Sequence, residues 1–416
     1  MRTSLHGAGA DMEISIGTMV LIPVIAVAAP LLVRAIGHWV AVPLVVFEIL
    51  LGILLGPSVL GWIQPDDFIS LLSDLGLAVL FFLAGNEIDF RAIRGRPLNR
   101  AAIGWAISLA AGFGIAVAFS PDIPSAAFIG IALTSTALGT IMPILRDAGD
   151  LKTPFGLSVL ALGAIGEFGP LLAISLFLTG RSPALAAIVL LVFAVVAGVA
   201  ITLAAKGHGK RLHVVITATM HTSAQFGVRL VMLVLISLLA LSIVLDLDML
   251  LGAFTAGVLY RLLISGAPEH DREVLEHKIE GLGYGFLVPV FFIMTGVTFD
   301  LAALANPQTL ALVPVFVGLL LVVRGIPSLL SAPPGADRLT VAATGLFGAT
   351  GLPVIVAVTG IGTDTGDIGT GTAAALVGAG MISVLLFPLI GLALRKRSPD
   401  AAGRSLDDDT EVPVEG

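Results

Sequence analysis

The chain contains no cysteine, so disulfides and thiolate metal sites are excluded. Charge is scarce. Asp, Glu, Lys and Arg make up 12% of the 416 residues, and a soluble domain carries about twice that share. There is no Walker A sequence, so no ATP-driven pump is indicated. The Gly-rich stretches lie inside apolar runs rather than after strands, which leaves a dinucleotide fold unsupported. No potassium-filter sequence is present, which argues against a channel. No basic patch suggests nucleic acid, and no histidine cluster lies in the apolar runs. The segment from Gly362 to Asp367 is too short for a calcium loop and lacks its closing glutamate, so it is read as an external turn. The net charge of −7 says little, because the acids sit mostly in short loops and the tail.

What is abundant is apolar surface. Hydrophobic residues make up 57% of the chain. Apolar runs of about 20 residues recur from end to end, long enough to cross about 30 Å of hydrocarbon. An all-α integral membrane protein with about thirteen transmembrane helices is expected. The spans fall near 13–36, 40–62, 69–88, 100–119, 124–146, 153–178, 184–205, 219–245, 248–266, 280–297, 308–331, 339–361 and 369–394. The first is too long for a signal-peptide core and is read as retained.

Alternate loops separate by charge. One set carries Arg34, then Arg91, Arg94, Arg96 and Arg100, then Arg146 and Lys152, then Lys206, Lys210 and Arg211, then Arg272 and Lys278, then Arg338, and ends with Arg395, Lys396 and Arg397. The other carries Asp66, Asp67, Asp122, Asp246, Asp248, Asp300, Asp364 and Asp367, and only Arg2 and Arg181 break its lack of basic residues. The positive-inside rule then places the N-terminus outside and the C-terminus in the cytoplasm, in a multi-pass protein of the cell membrane. Trp39, Trp62 and Trp105 fall near expected span ends, where amphipathic rings prefer to sit. The polar, acidic end of the chain is expected to be disordered.

The chain repeats itself weakly. Leu77–Gly85 followed by Asp89-Phe90 echoes Leu287–Gly296 followed by Phe299-Asp300, and Leu51-Gly52 echoes Leu251-Gly252. Under the orientation above, spans 3 and 10 run in opposite directions. That describes an inverted-topology repeat of spans 1–6 and 8–13 with span 7 as linker, a mark of secondary transporters. Spans 5 and 12 are interrupted at matching places, by Thr134-Ser135-Thr136 through Gly139-Thr140 to Pro143 and by Gly348-Ala349-Thr350-Gly351-Leu352-Pro353. Unwound backbone at that depth is tolerated where it lines a cavity or is buried in protein. Both are therefore expected to be broken, crossing helices.

Gly166-Glu167 sits in the middle of span 6. An ionisable side chain at mid-bilayer costs on the order of 3 kcal/mol or more and marks a functional site by default. Pro170 cannot bond to the carbonyl of Gly166, which leaves a free oxygen beside the acid. Glu167 is the candidate ion and proton carboxylate, at which a proton and a metal cation would compete. Thr134, Ser135, Thr136, Thr140 and Thr350 supply supplementary oxygens of the kind hard cations take. Arg324 in span 11 is read first as a structural clamp, and Glu48 in span 2 as a partner across a helix pair or along a water path. Asp74 and Glu87 are read as capping or snorkelling residues.

Those segments together resemble the monovalent cation:proton antiporters, specifically the bacterial Kef-type and Nap-type branch. Val42–Gly61 is similar to the family span with a G-I-L-L-G-P segment, and Asp74–Glu87 to the span after it. Leu251–Leu259 is similar to its G-A-F-x-A-G-V-L segment, and Phe291–Gly296 to its F-F-x-x-x-G. The likeness covers residues 14–394. It implies a homodimer of two-domain protomers. The scaffold helices would lie in 1–97 and 212–305, the moving core in 98–180 and 306–396, a linker helix in 181–211 and a cytoplasmic tail in 397–416. It carries the ion-site acid onto Glu167, the preceding polar position onto Gly166 and the basic residue of span 11 onto Arg324. The family usually has Asp where this chain has Glu167, and a polar residue where it has Gly166. One acid with an arginine looks like the electroneutral type, exchanging one H+ per Na+ or K+. No enzyme activity, cofactor or nucleotide-binding regulatory domain is expected. Partners are H+, Na+ or K+, membrane lipid and a second copy of the chain. A sodium-coupled carrier of an organic solute and a non-transporting membrane sensor are the alternatives.

Overall fold

The computed structural model describes residues 2–5, 12–36, 43–120, 122–178, 183–207, 225–264 and 269–399. Trp39, Arg181, Lys210, Arg211 and the acidic tail from Asp400 lie outside them.

A short antiparallel ribbon of β1 (Arg2–Leu5) and β2 (Met12–Ser15), with Arg2 opposite Ser15, leads directly into the first helix. This ribbon is the one departure from an all-helical chain among the described residues. The helices that follow are α1 (Ile16–Ile36), α2 (Leu44–Leu55), α3 (Asp67–Glu87), α4 (Phe90–Ile93), α5 (Arg96–Phe119), α6 (Ile123–Ala132), α7 (Leu138–Asp147), α8 (Pro154–Phe177) and α9 (Pro183–Gly207). Next come α10 (Phe226–Val244), α11 (Met249–Ile264), α12 (Glu269–Leu282), α13 (Val288–Val297), α14 (Leu301–Leu304) and α15 (Pro307–Leu319). The chain ends with α16 (Ile326–Ser328), α17 (Arg338–Gly348), α18 (Pro353–Asp364) and α19 (Thr370–Arg397). π-helical turns at Gly283–Leu287 and Leu320–Gly325 join α12 to α13 and α15 to α16. Among the described residues nine helical stretches are long and apolar enough to cross a membrane, and four shorter apolar helices accompany them.

Loop acids start several of these helices. Asp66 accepts from the Ile69 N–H at 2.9 Å, Asp122 from Ser125 at 2.8 Å, and Asp337 from Thr340 at 3.0 Å. Each satisfies an N–H that the first helical turn leaves without an internal partner.

The chain divides into two compact units, Met1–Ile88 with Leu171–Asn306, and Asp89–Pro170 with Pro307–Gly416. The division falls inside α8, at Pro170. In the first unit α2 packs on α13, and α3 packs on α11. The α2–α13 contact is backbone to backbone. A Cβ on Gly52 would strike the Ile293 carbonyl, and one on Gly296 would strike that of Ile49. Ile22, Ile25, Ile69, Val290 and Ile293 close the core around it.

In the second unit α6 packs on α5 and α18, and α17 packs on α19. Ile141, Leu145, Phe155, Val159 and Phe347 form its core, with the Phe155 and Phe347 rings edge to face at 5.7 Å. Two residues of this unit make contacts that their residue types do not announce. Trp105 of α5 is half-buried, and its indole packs on Gly169 of α8. Arg395, counted among loop charges, is buried in the last turn of α19. Its Nη2 is 3.5 Å from Asp150, its Nη1 donates to Thr340 at 3.0 Å, and its guanidinium lies 5.0 Å from the Phe155 ring centre. A cation is favoured at a helix C-terminus, and the aromatic face and acid add to that.

Candidate functional site

The site is built where two helices stop. α6 ends at Ala132 and α7 begins at Leu138, and the five residues between them are not helical. α17 ends at Gly348 and α18 begins at Pro353, again with non-helical backbone between. Each stop leaves carbonyls on one side and N–H groups on the other without helical partners.

The two interruptions satisfy one another. The Ala137 N–H donates to the Thr350 carbonyl at 2.7 Å, and the Thr136 hydroxyl donates to the Gly348 carbonyl at 2.7 Å. The Thr136 N–H donates to the Gly166 carbonyl at 3.0 Å. That is the carbonyl which Pro170 cannot engage, because proline has no N–H. The Leu138 N–H donates to Oε1 of Glu167 at 2.9 Å. Three consecutive N–H groups at the start of α7 are thus taken by two carbonyls and the carboxyl of Glu167, which is only 2% exposed. A helix N-terminus favours a negative group, so this end of α7 suits the carboxylate.

Arg324 sits in the π-turn before α16 and is completely buried. A π-turn is a frequent device for re-aiming a functional side chain. Its Nε donates to the Thr136 hydroxyl at 2.9 Å and its Nη2 to the Leu162 carbonyl at 2.9 Å. Nη1 is buried with no hydrogen-bond partner among the described residues, and the guanidinium makes no ion pair there. The cation therefore braces α8 and the first interruption through neutral oxygens. Thr136 stands at the centre, accepting from Arg324 and donating to Gly348.

Gly166 is explained by the same contacts. A Cβ at this position would overlap the Thr136 side chain and lie 2.8 Å from Arg324 Nη2. Threonine hydroxyl and guanidinium occupy the space that a polar side chain at 166 would need.

The remaining candidates divide. Thr134 and Ser135 are buried, and their hydroxyls donate back to the Ile131 and Ala132 carbonyls at 2.8 and 2.9 Å, capping the end of α6. Their oxygens keep lone pairs. Thr350 donates its hydroxyl to Leu346 at 3.0 Å and contributes its main-chain carbonyl to Ala137. Thr140 lies in the first turn of α7, half-buried, outside these hydrogen bonds. Glu48 is in the first unit, on α2, and is 2% exposed. Among the described residues it has neither the cross-helix partner nor any ion pair. Burial alone put it among the candidates, and a continuous helix offers it no open backbone group. Glu87, expected to cap or snorkel, accepts from the Tyr284 hydroxyl at 3.1 Å.

Three contributors escape a reading of the sequence. Leu138 and Leu162 act through main-chain atoms, which leave no trace in residue type. Ser383 of α19 is completely buried, accepts from the Gly351 N–H at 3.1 Å and lies 3.0 Å from the Gly351 carbonyl. A lone serine in an otherwise apolar run was its available signal. Among the described residues no group of three or more His, Cys, Asp or Glu side chains is placed to hold a metal ion. The site therefore offers one carboxyl, several hydroxyls and a set of carbonyls, all hard oxygens suited to alkali cations.

Residues 24–393 match the family described as the transmembrane sodium/hydrogen exchanger. The chain is 28% identical to the putative Na+/H+ antiporter YjbQ of Bacillus subtilis, over 92% of this chain and 64% of that protein. It is 26% identical to the Na+/H+-K+ antiporter GerN of Bacillus cereus, over 62% of this chain and 66% of that one. The chain thus spans slightly less than two thirds of the length of these relatives. Its fold is similar to that of the sodium proton antiporter MjNhaP1 from Methanocaldococcus jannaschii, with a TM-score of 0.64 and 16% identity over 91% of this chain and 98% of that one. With its matched region running through nearly every apolar helix, this chain belongs to the sodium/hydrogen exchanger family of multi-pass membrane proteins.

Proposed function

We propose that this chain exchanges Na+ or K+ for H+ across the cytoplasmic membrane by alternating access, with Glu167 carrying either cation. The observation that carries this reading is the Leu138 N–H to Glu167 bond at 2.9 Å, made where two interrupted helices meet. A carboxylate that holds a helix N-terminus can receive a proton or a metal cation without further change in partner. Arg324 supplies a compensating positive charge when neither is bound. The names of the relatives above, Na+/H+ and Na+/H+-K+ antiporters, agree with this chemistry.

One carboxyl that takes one H+ or one monovalent cation moves the same charge in both directions. Exchange is then one for one and electroneutral. The stretches 98–180 and 306–396, which hold Glu167 and Arg324, are assigned as the moving core, 1–97 and 212–305 as the scaffold of a homodimer, and 181–211 as the linker helix. The reciprocal packing of α2 on α13 and α3 on α11 supports an inverted repeat, since exchanging the halves maps one pair onto the other. The nine long and four shorter apolar helices are taken as thirteen crossings, with spans 5 and 12 broken.

The test is cation-driven proton movement in proteoliposomes carrying a pH-sensitive dye. Wild type and Glu48→Gln should respond to Na+ or K+, and Glu167→Gln should not. Full exchange by Glu167→Gln would sink the assignment. Uptake that requires an organic solute and leaves internal pH unchanged would point to a carrier instead.

A further inference from the structure

Trp105 is the largest side chain of α5 that turns toward α8, and the position it meets is revealing. A Cβ on Gly169 would overlap indole Cε2 and lie 2.7 Å from Cζ2 and 2.8 Å from Cδ2. The ring therefore lies flush on the main chain between Glu167 and Pro170. Gly166 and Gly169 are three residues apart, so they share a face of α8. One receives Thr136 and Arg324 and the other receives the indole.

This stretch of α8 needs outside support. Pro170 removes the hydrogen bond that would tie residue 170 to the Gly166 carbonyl, so the turn carrying Glu167 lacks one of its own restraints. The Thr136 N–H holds one side of it. α5 is a suitable abutment for the other. Its Gly104 seats against the Pro327 carbonyl, 2.8 Å from where a Cβ would stand, and its Gly112 against Gly130. α5 is thereby fixed to the segment that follows Arg324. The indole N–H is buried with no hydrogen-bond partner among the described residues. Packing, not a hydrogen bond, is what joins Trp105 to α8.

We propose that Trp105 is a positioning residue for ion exchange: its ring holds the Gly166–Pro170 turn so that the Glu167 carboxyl stays in register with the Leu138 N–H. The proposal rests on the assignment of Glu167 above. Misplacing a reacting group by about 1 Å can cost on the order of 10²-fold. Trp105→Ala, which empties the notch, should raise the half-saturating Na+ concentration by roughly tenfold on that scale. Trp105→Phe keeps a flat ring without the N–H and should restore it to within about twofold.

The experiment pairs this titration with fluorescence. In a Trp39→Phe, Trp62→Phe background, Trp105 is the only tryptophan, and its emission is excited selectively over that of the two tyrosines. Its emission should change on adding Na+ and on acidification, and neither change should survive Glu167→Gln. The fluorescence arm keeps the native ring, so it stands even where Trp105→Ala folds poorly. Unchanged Na+ dependence in Trp105→Ala, equal losses in the Ala and Phe variants, or an emission blind to Na+ while the protein transports would each overturn the proposal. Full exchange by Glu167→Gln would instead overturn the assignment of the site, so the two failures are told apart.

Discussion

Glu167 and Glu48 are both 2% exposed glutamates in apolar helices, yet their surroundings have little in common. Glu167 meets the first N–H of a helix, on a turn whose preceding carbonyl, that of Gly166, is freed by proline, beside a buried arginine and two stretches of unwound backbone. Glu48 lies on an uninterrupted α2, one turn before a glycine that packs backbone to backbone on α13. The difference teaches that burial alone does not set the two acids apart. An acid in hydrocarbon is costly in either place, but only open backbone gives a desolvated ion a shell of oxygens to replace its water.

The glycines beside the two acids sharpen this contrast. Gly166→Ala pushes a methyl into Thr136 and the guanidinium of Arg324. Since those two groups hold the Glu167 turn, exchange measured by dye-loaded proteoliposomes is expected to fall by 10²-fold or so. Thr136→Val keeps the shape and removes the hydroxyl that links Arg324 to Gly348. A hydrogen bond to a charged group contributes about 1.5–3 kcal/mol. A loss of roughly ten- to a hundredfold in exchange is the expected result. Gly52→Ala is the counterpart near Glu48. Overpacking there should lower stability by about 1–3 kcal/mol, seen as a lower thermal midpoint, with the half-saturating Na+ concentration unchanged. If Gly52→Ala altered Na+ dependence while Gly166→Ala did not, the two regions would have to exchange roles.

Much of the first region is visible in residue types. Glycine, glutamate and proline within five residues, in a long apolar run, announce a buried acid and a freed carbonyl. The Gly, Thr and Pro interruptions mark the places where α6 and α17 stop. The partners of those groups are not visible, because they are main-chain atoms brought in by tertiary packing. The sequence shows that Thr136 has an oxygen. It does not show that its N–H goes to Gly166 or that the Leu138 N–H reaches Glu167. Thr134 and Ser135 look identical to Thr136 by type, yet their hydroxyls turn back on α6. The packing of Trp105 and Arg395 is hidden for one shared reason. Residue type gives no sign of the glycine notch that seats one or of the acid and aromatic face that meet the other.

The central claim is that one carboxyl gives up a proton to accept a metal cation, and proton release on cation binding measures it most directly. Purified protein in weakly buffered detergent solution, titrated with Na+ or K+ near neutral pH, should release one proton for each cation bound, with no release from Glu167→Gln and wild-type release from Glu48→Gln. Cation binding without acidification, or acidification that persists in Glu167→Gln, would contradict it.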